Sequence, residues 1–88
     1  MRLISQDGMI DVPYEISALS IGRMGESATI YVRSKLLDEK PCVFATYSNT
    51  NKSLNVMEML REEYLETVYD YRTRPKVFKF PSDEEVEV

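Results

Sequence analysis

The sequence contains no histidine and only one cysteine, Cys42, among its 88 residues. Without imidazole, the chain lacks the commonest general base and the commonest transition-metal ligand. A single cysteine cannot form an internal disulfide framework or a multi-cysteine zinc or iron–sulfur site, and it fits a reducing compartment. We therefore expect a cytoplasmic protein that uses no metal and no other cofactor.

Long hydrophobic runs are also absent. No apolar stretch approaches the roughly 18 residues of a membrane span, and nothing near the start resembles a signal peptide. The hydrophobic fraction of 43% is ordinary for a globular chain. A chain of this length buries about 60% of its unfolded surface, too little for two cores. We expect one soluble domain with no membrane contact.

The sequence offers no convincing catalytic group. Its three glycines are not spaced as a GxGxxG motif or a P-loop, and each fits a turn. The carboxylate pairs Asp83/Glu84 and Glu62/Glu63 have no apolar neighbours that would shift their pKa values. Cys42 begins an apolar stretch without a nearby base, which indicates a buried structural thiol. We expect a protein that is not an enzyme.

Several short segments have the composition of β-strands. Asp7-Gly8 separates Arg2–Gln6 from Met9–Tyr14 and predicts a hairpin with a type I′ turn, in which both central residues have positive φ. Further β-strand patterns follow, and Pro81 ends the last of them; the segments are 15–23, Ser27–Ser34, Cys42–Tyr47 and 76–80.

One long amphipathic helix is predicted after Ser48, whose hydroxyl is a candidate N-cap. Apolar side chains recur three and four residues apart and predict the face that packs on the sheet: Leu54, Met57, Leu60, Tyr64 and Val68. The opposite face is predicted to be solvated and carries Asn55, Glu58, Glu62 and Glu66.

These elements predict an α+β fold. We expect an antiparallel sheet of four to five strands, with the long helix packed on one face and a short C-terminal strand. Residues 1–80 would form the single domain, and residues 81–88 a flexible acidic tail. Because such a sheet leaves a face or edges exposed, we also expect a homodimer or a larger assembly.

Charge is distributed unevenly along the chain. A basic segment, residues 72–79, lies between two acidic ones and contains Arg72, Arg74, Lys76 and Lys79. Its counter-charges are more readily found within the protein or in a neighbouring subunit than in nucleic acid, so direct nucleic-acid binding is not expected.

A candidate ligand site combines two of these features. Tyr31 and Arg33 alternate onto one sheet face, where an aromatic ring could stack on a base and a guanidinium could hold a phosphate. Arg72, Arg74 and Lys76 could add phosphate contacts across a subunit boundary. The alternative is a solvated face that carries one arginine.

Three stretches resemble a family of short proteins encoded by phages and prophages of Firmicutes: ISQDGMIDVPYE at residues 4–15, YSNTNKSLNVMEMLREEYL at 47–65 and FKFPSDEEVEV at 78–88. Together they cover about half of the chain. The chain differs from the family pattern at Asn49, Asn51 and Ser53, where the family more often has acidic residues and alanine. The resemblance implies a phage source and a host-cell cytoplasmic location, and it supplies no catalytic residue.

A phage source favours a counter-defence inhibitor that acts by stoichiometric capture of a nucleotide second messenger or a host defence protein. An alternative is an acidic mimic of nucleic acid that blocks a DNA-binding host protein. Its residues would be Glu58, Glu62, Glu66, Asp83, Glu84 and Glu85. A third hypothesis is a structural or accessory phage protein whose tail docks on the sheet edge of a partner.

Overall fold

The computed structural model describes residues 1–38, 40–69 and 76–87, and it confirms the α+β fold. Two three-stranded sheets replace the single sheet of four to five strands that we predicted. The strands are β1 (Arg2–Ile4), β2 (Asp11–Pro13), β3 (Ser17–Met24), β4 (Ser27–Ser34), β5 (Cys42–Tyr47) and β6 (Val77–Lys79). The helix is α1 (Thr50–Tyr69), and short 3-10 helices cover Tyr14–Ile16, Lys35–Leu37 and Asp83–Glu85.

The first sheet has the order β2-β1-β6. β1 pairs antiparallel with β2 and parallel with β6, so that Leu3 lies opposite both Val12 and Phe78. The predicted hairpin therefore forms, but its type I′ turn is wrong. Gly8 has a φ of 78° and Asp7 has no positive φ. The Asp7 carboxylate instead accepts hydrogen bonds from the Ser5 hydroxyl at 2.6 Å and the Met9 N–H at 2.9 Å, which fixes a different turn.

The second sheet is antiparallel, with the order β3-β4-β5. The two-residue loop between β3 and β4 places Gly25 at a φ of 62° in its first position, as a type II′ turn requires. Between β4 and β5 the register shifts after Ile30, so that Phe44 is an extra residue on β5. This bulge turns both Phe44 and Ala45 into the interior.

Both sheets and the helix share one hydrophobic core. Phe44 of the second sheet meets Phe80, which follows β6, edge to face with ring centroids 5.8 Å apart. Val56 and Leu60 of the helix complete the core between the sheets, and both are essentially inaccessible to solvent. The two sheets therefore pack against each other around this core.

The helix begins differently from the prediction. Asn49 is the residue whose side chain accepts the Lys52 N–H, at 2.8 Å, so the predicted Ser48 cap is wrong. The backbone N–H of Ser48 donates instead to the Asp83 carboxylate at 2.7 Å. Asparagine is as good an N-cap as serine. The hydrogen bond to Asp83, which lies outside the helix, helps to fix the backbone of Ser48 just before the cap.

The buried face of the helix is rotated relative to the predicted stripe. Ser53, Val56 and Leu60 are buried, whereas Leu54 is 52% exposed. Of the other predicted residues, Met57 and Tyr64 are half-buried, and the Val68 side chain lies outside the described residues. Ser53 is polar, so the pattern of apolar residues does not include it. It can nevertheless be buried because its hydroxyl donates to the Thr50 carbonyl at 2.7 Å.

Residues 81–87, predicted as a flexible acidic tail, pack against the helix and β5. Val86 is only 6% exposed and belongs to the core. Lys52 donates to the Asp83 carbonyl at 2.8 Å, and Asn55 donates to the Glu87 carbonyl at 3.0 Å. One buried valine and several backbone hydrogen bonds hold the segment, although its overall composition is polar. None of the helices described is long and apolar enough to cross a lipid bilayer.

Candidate ligand-binding surface

The outer face of the second sheet is the surface that carries the predicted ligand residues. Alternation along β4 places Ala28, Ile30 and Val32 in the core and Tyr31 and Arg33 on the opposite face. The cross-strand neighbours of this outer pair are small: Ser20 lies opposite Tyr31, and Ala18 lies opposite Arg33. The two predicted residues are therefore brought together on one accessible face.

Tyr31 is held against the backbone of β3. A Cβ atom built on Gly22 would lie 2.6 Å from Cε2 of the Tyr31 ring, so the ring occupies the space that a side chain at position 22 would need. This close approach explains a glycine in the middle of a strand. It also makes the ring half-buried, and it limits the positions that the ring can adopt.

Arg33 is two residues further along β4, a distance of about 7 Å. Its side chain is exposed and forms no hydrogen bond or ion pair with any part of the chain that the structure describes. Two shallow grooves meet at this side chain. One has a volume of about 480 Å³ and is lined by Ala18, Leu19, Ser20, Tyr31, Arg33 and Pro41.

The second groove, of about 470 Å³, extends from Arg33 toward Ser34 and Lys35. Its one acid is Glu15, whose carboxylate accepts from the N-terminal ammonium of Met1 at 2.6 Å. That hydrogen bond lowers the pKa of Glu15 and balances its charge. Among the described residues that line the two grooves, Arg33 and Lys35 are left as uncompensated charges. Lys35 was not predicted as a site residue, although its position just after the strand that carries Arg33 could have indicated it.

Lys76 lies elsewhere. Its ammonium donates to Glu66 at 2.9 Å and to Glu63 at 3.4 Å on the helix. The hydrogen bond to Glu66 is the main cause of a raised Lys76 pKa. Lys76 lines neither groove, so it could reach a ligand at Tyr31 only from a neighbouring subunit. Arg72 and Arg74 lie outside the described residues.

The acidic residues of the alternative hypothesis fall into two groups. Glu58, Glu62 and Glu84 are exposed and have no hydrogen-bond or ion-pair partner among the described residues. Three others have partners within the chain: Glu66 binds Lys76, Asp83 accepts the Ser48 N–H, and Glu85 accepts the Ser82 N–H at 3.1 Å. The hydrogen bonds to Asp83 and Glu85 lower the pKa of each carboxyl.

Cys42 is half-buried rather than buried, and its thiol lies 3.8 Å from the Lys40 carbonyl oxygen. Within the residues that the structure describes, no three side chains of the metal-binding types cluster together. The outer face offers one aromatic ring, two cations and several hydroxyls, which are groups suited to recognition of a ligand.

No protein-family model, curated protein or solved structure matches this chain. The functional assignment accordingly depends on the residues of the outer face and on their surroundings.

Proposed function

We propose that this protein is a small non-enzymatic binding protein that captures a nucleotide on the outer face of its second sheet. The observation that supports the proposal is the pair formed by Tyr31 and Arg33. A ring held in place against Gly22 lies about 7 Å along the strand from a guanidinium that has no partner among the described residues. A nucleotide presents the complementary pair, a flat base and a phosphate.

Binding would begin with two contacts. The base stacks on the Tyr31 ring, an interaction that tolerates different bases and contributes about 1–3 kcal/mol. The Arg33 guanidinium then donates two parallel hydrogen bonds to a phosphate, and Lys35 adds a second positive charge in the adjoining groove. Little of the surface has to reorganise, because the Tyr31 ring is already positioned.

A single subunit covers only one side of such a ligand, since both grooves are shallow. A second copy placed over the outer face would enclose the nucleotide and bury Val43, which is 55% exposed. It could also supply Lys76 or the neighbouring arginines, as the sequence hypothesis requires. Stoichiometric capture of a nucleotide signal would provide the counter-defence role that a phage source favours.

Acidic mimicry of nucleic acid has less support. Glu66, Asp83 and Glu85 all have partners within the chain, which leaves a smaller uncompensated charge than the sequence suggests. A mimic also needs carboxylates that face outward together, and three of the six proposed residues are used to hold the tail and Lys76.

The proposal is tested by native mass spectrometry and calorimetry of the purified protein with a set of cyclic and linear nucleotides. We expect one nucleotide class to bind at a fixed ratio to the protein. Arg33→Gln and Tyr31→Ala should each weaken its binding about tenfold or more. The control is Lys79→Gln, which removes a positive charge from the exposed surface of β6, in the other sheet.

Two results would contradict the proposal. One is that no nucleotide in the set binds. The other is binding that Arg33→Gln and Lys79→Gln weaken equally, because a general loss of positive charge would then explain the effect and the Tyr31–Arg33 pair would have no special role.

A further inference from the structure

A second surface lies at the free edge of β3, where it borders the outer face through Ser17 and Leu19. This strand has eight residues, and among the residues that the structure describes it pairs only with β4. The outer strands of the first sheet, β2 and β6, have three residues each, and the edge of β5 is covered by hydrogen bonds to Gln6. β3 has neither a lysine nor a proline that would block pairing.

The hairpin determines which backbone groups face this edge. In a two-residue type II′ hairpin, the closing pair, here Met24 and Ser27, is hydrogen-bonded. Every second residue back along β3 therefore also bonds to β4. The residues between them, Leu19, Ile21 and Arg23, direct their N–H and C=O groups toward the free side, where an added strand would find them.

The same three residues turn their side chains toward the helix, so that a groove runs between the edge of β3 and α1. A cavity of about 260 Å³ lies in it, lined by Tyr14, Ser17, Leu19, Met57, Leu60 and Arg61. Leu54, at 52% exposure, is on the same side of the helix as Met57 and Arg61, three and seven residues away. Apolar side chains from both β3 and α1 therefore line the groove, among them Leu19, Met57 and Leu60.

An arginine stands at each end of the groove. Arg23 donates to the Thr50 hydroxyl at 3.1 Å, where the helix begins. Arg61, about three helical turns further on, lines the cavity beside Leu19. Neither arginine forms an ion pair within the described ranges, and β3 itself contains no acid. The groove thus combines unpaired backbone N–H and C=O groups of β3, an apolar centre and an arginine at each end.

We propose that this groove binds an extended segment of a partner protein, which adds to β3 as a fourth strand of the second sheet. The segment carries apolar residues at alternate positions, opposite Leu19 and Ile21, and an acidic residue on either side of them. Main-chain hydrogen bonds would supply affinity, and the cavity and the two arginines would supply specificity.

A second copy of the chain fits this edge less well. Antiparallel pairing of two β3 strands about Ser20 would place Arg23 of one copy opposite position 17 of the other, near Arg61 of that copy. Positive charges would then meet at both ends of the interface. An acidic segment meets the same two arginines with charges of the opposite sign.

Fluorescence anisotropy with a labelled synthetic peptide tests this assignment. The peptide has valine at two alternate central positions, glutamate two residues outside each valine, and threonine elsewhere. We expect saturable binding, and binding about tenfold or more weaker when lysine replaces glutamate. Arg61→Glu should abolish that preference, because Arg23 then attracts one glutamate while position 61 repels the other, whereas Lys79→Glu, the matched charge change on the other sheet, should retain it.

Backbone methylation distinguishes strand addition from simple charge attraction. Two peptides are compared, each N-methylated at alternate residues so that only one of its edges is blocked. We expect one of them to lose binding and the other to keep it. Three results would each overturn the proposal. The two methylated peptides could bind equally well, or the unmethylated peptide could bind no better with glutamate than with lysine. The protein could also form a stable dimer whose β3 edge the peptide cannot enter.

Discussion

The side-chain amide of Gln6 pairs with the backbone of Thr46 in the way that a peptide group of a neighbouring strand would. Its Oε1 accepts from the Thr46 N–H at 3.1 Å, and its Nε2 donates to the Thr46 carbonyl at 3.3 Å. The backbone N–H of Gln6 also donates to the Phe44 carbonyl at 2.7 Å. The turn of the first sheet thereby closes the edge of β5 and fixes the two sheets to each other.

We expect Gln6→Ala to lower the free energy of unfolding by about 1–2 kcal/mol, because hydrogen bonds that join the two sheets are lost. Gln6→Glu should cost at least as much at pH 7, since a carboxylate cannot donate to the Thr46 or Pro81 carbonyls. Urea denaturation followed by circular dichroism measures both. A glutamate variant as stable as the parent would show that the amide pairing contributes nothing.

The Pro81 carbonyl links the same glutamine to Tyr47. It accepts from the Gln6 Nε2 at 3.0 Å and from the Tyr47 hydroxyl at 2.8 Å. Each single variant, Gln6→Ala or Tyr47→Phe, leaves this carbonyl one donor, whereas the double variant leaves it none. We therefore expect the double variant to lose about 0.5 kcal/mol or more beyond the sum of the two single losses. Strict additivity in urea denaturation would contradict this coupling.

Val86 should be important for stability in spite of its place in an acidic segment. Its side chain is 6% exposed, so Val86→Ala removes buried methyl groups and should cost about 2 kcal/mol. Val77→Ala is the matched control at a side chain that is 59% exposed, and it should cost well under 1 kcal/mol. Equal losses in thermal or urea unfolding would mean that the tail is not part of the core.

Several parts of this fold could be predicted from the sequence because they depend on local patterns. Strict alternation along β4 and the β-branched and aromatic run of β5 predicted those strands with their observed bounds. The same alternation placed Tyr31 and Arg33 on one face, which the structure confirms.

What the sequence did not predict depends on contacts between distant residues. The division into two sheets follows from the parallel pairing of β1 with β6, which are more than 70 residues apart. The rotated helix face depends on Ser53, whose hydroxyl bonds within the helix, and the packing of the tail depends on Ser48 and Lys52. The close approach of Tyr31 to Gly22 likewise needs the register of β3 and β4.

Stability should fall in acid partly because of Asp83. The hydrogen bond from the Ser48 N–H, followed by weaker effects that include the attraction of Lys52, lowers the pKa of Asp83 in the folded state. A lowered carboxyl pKa adds stability above the unfolded value of about 4, and that stability is lost as pH falls through the folded value.

The change that tests this is Asp83→Asn, which should lower the urea midpoint at pH 7 and make its decline between about pH 5 and pH 2 shallower. Glu84→Gln makes the same change of net charge at an exposed neighbour, and we expect it to leave the midpoint at pH 7 nearly unchanged. An equally steep decline in Asp83→Asn would show that other groups govern the acid response.

Gly22 should control ligand binding without touching the ligand. A methyl group at this position would lie 2.6 Å from the Tyr31 ring, so Gly22→Ala must displace the ring from its place against β3. We expect nucleotide affinity to fall about tenfold, because the base loses a stacking partner that is already in position. In a Tyr31→Ala background, Gly22→Ala should have no further effect on affinity, since no ring remains to be displaced.

Calorimetry on the four proteins measures the coupling, and nuclear magnetic resonance spectra of the Tyr31 ring report its position directly. Two results would show that Gly22 does not act through Tyr31. One is an unchanged spectrum of the Tyr31 ring in Gly22→Ala, and the other is an equal loss of nucleotide affinity in the parent and Tyr31→Ala backgrounds.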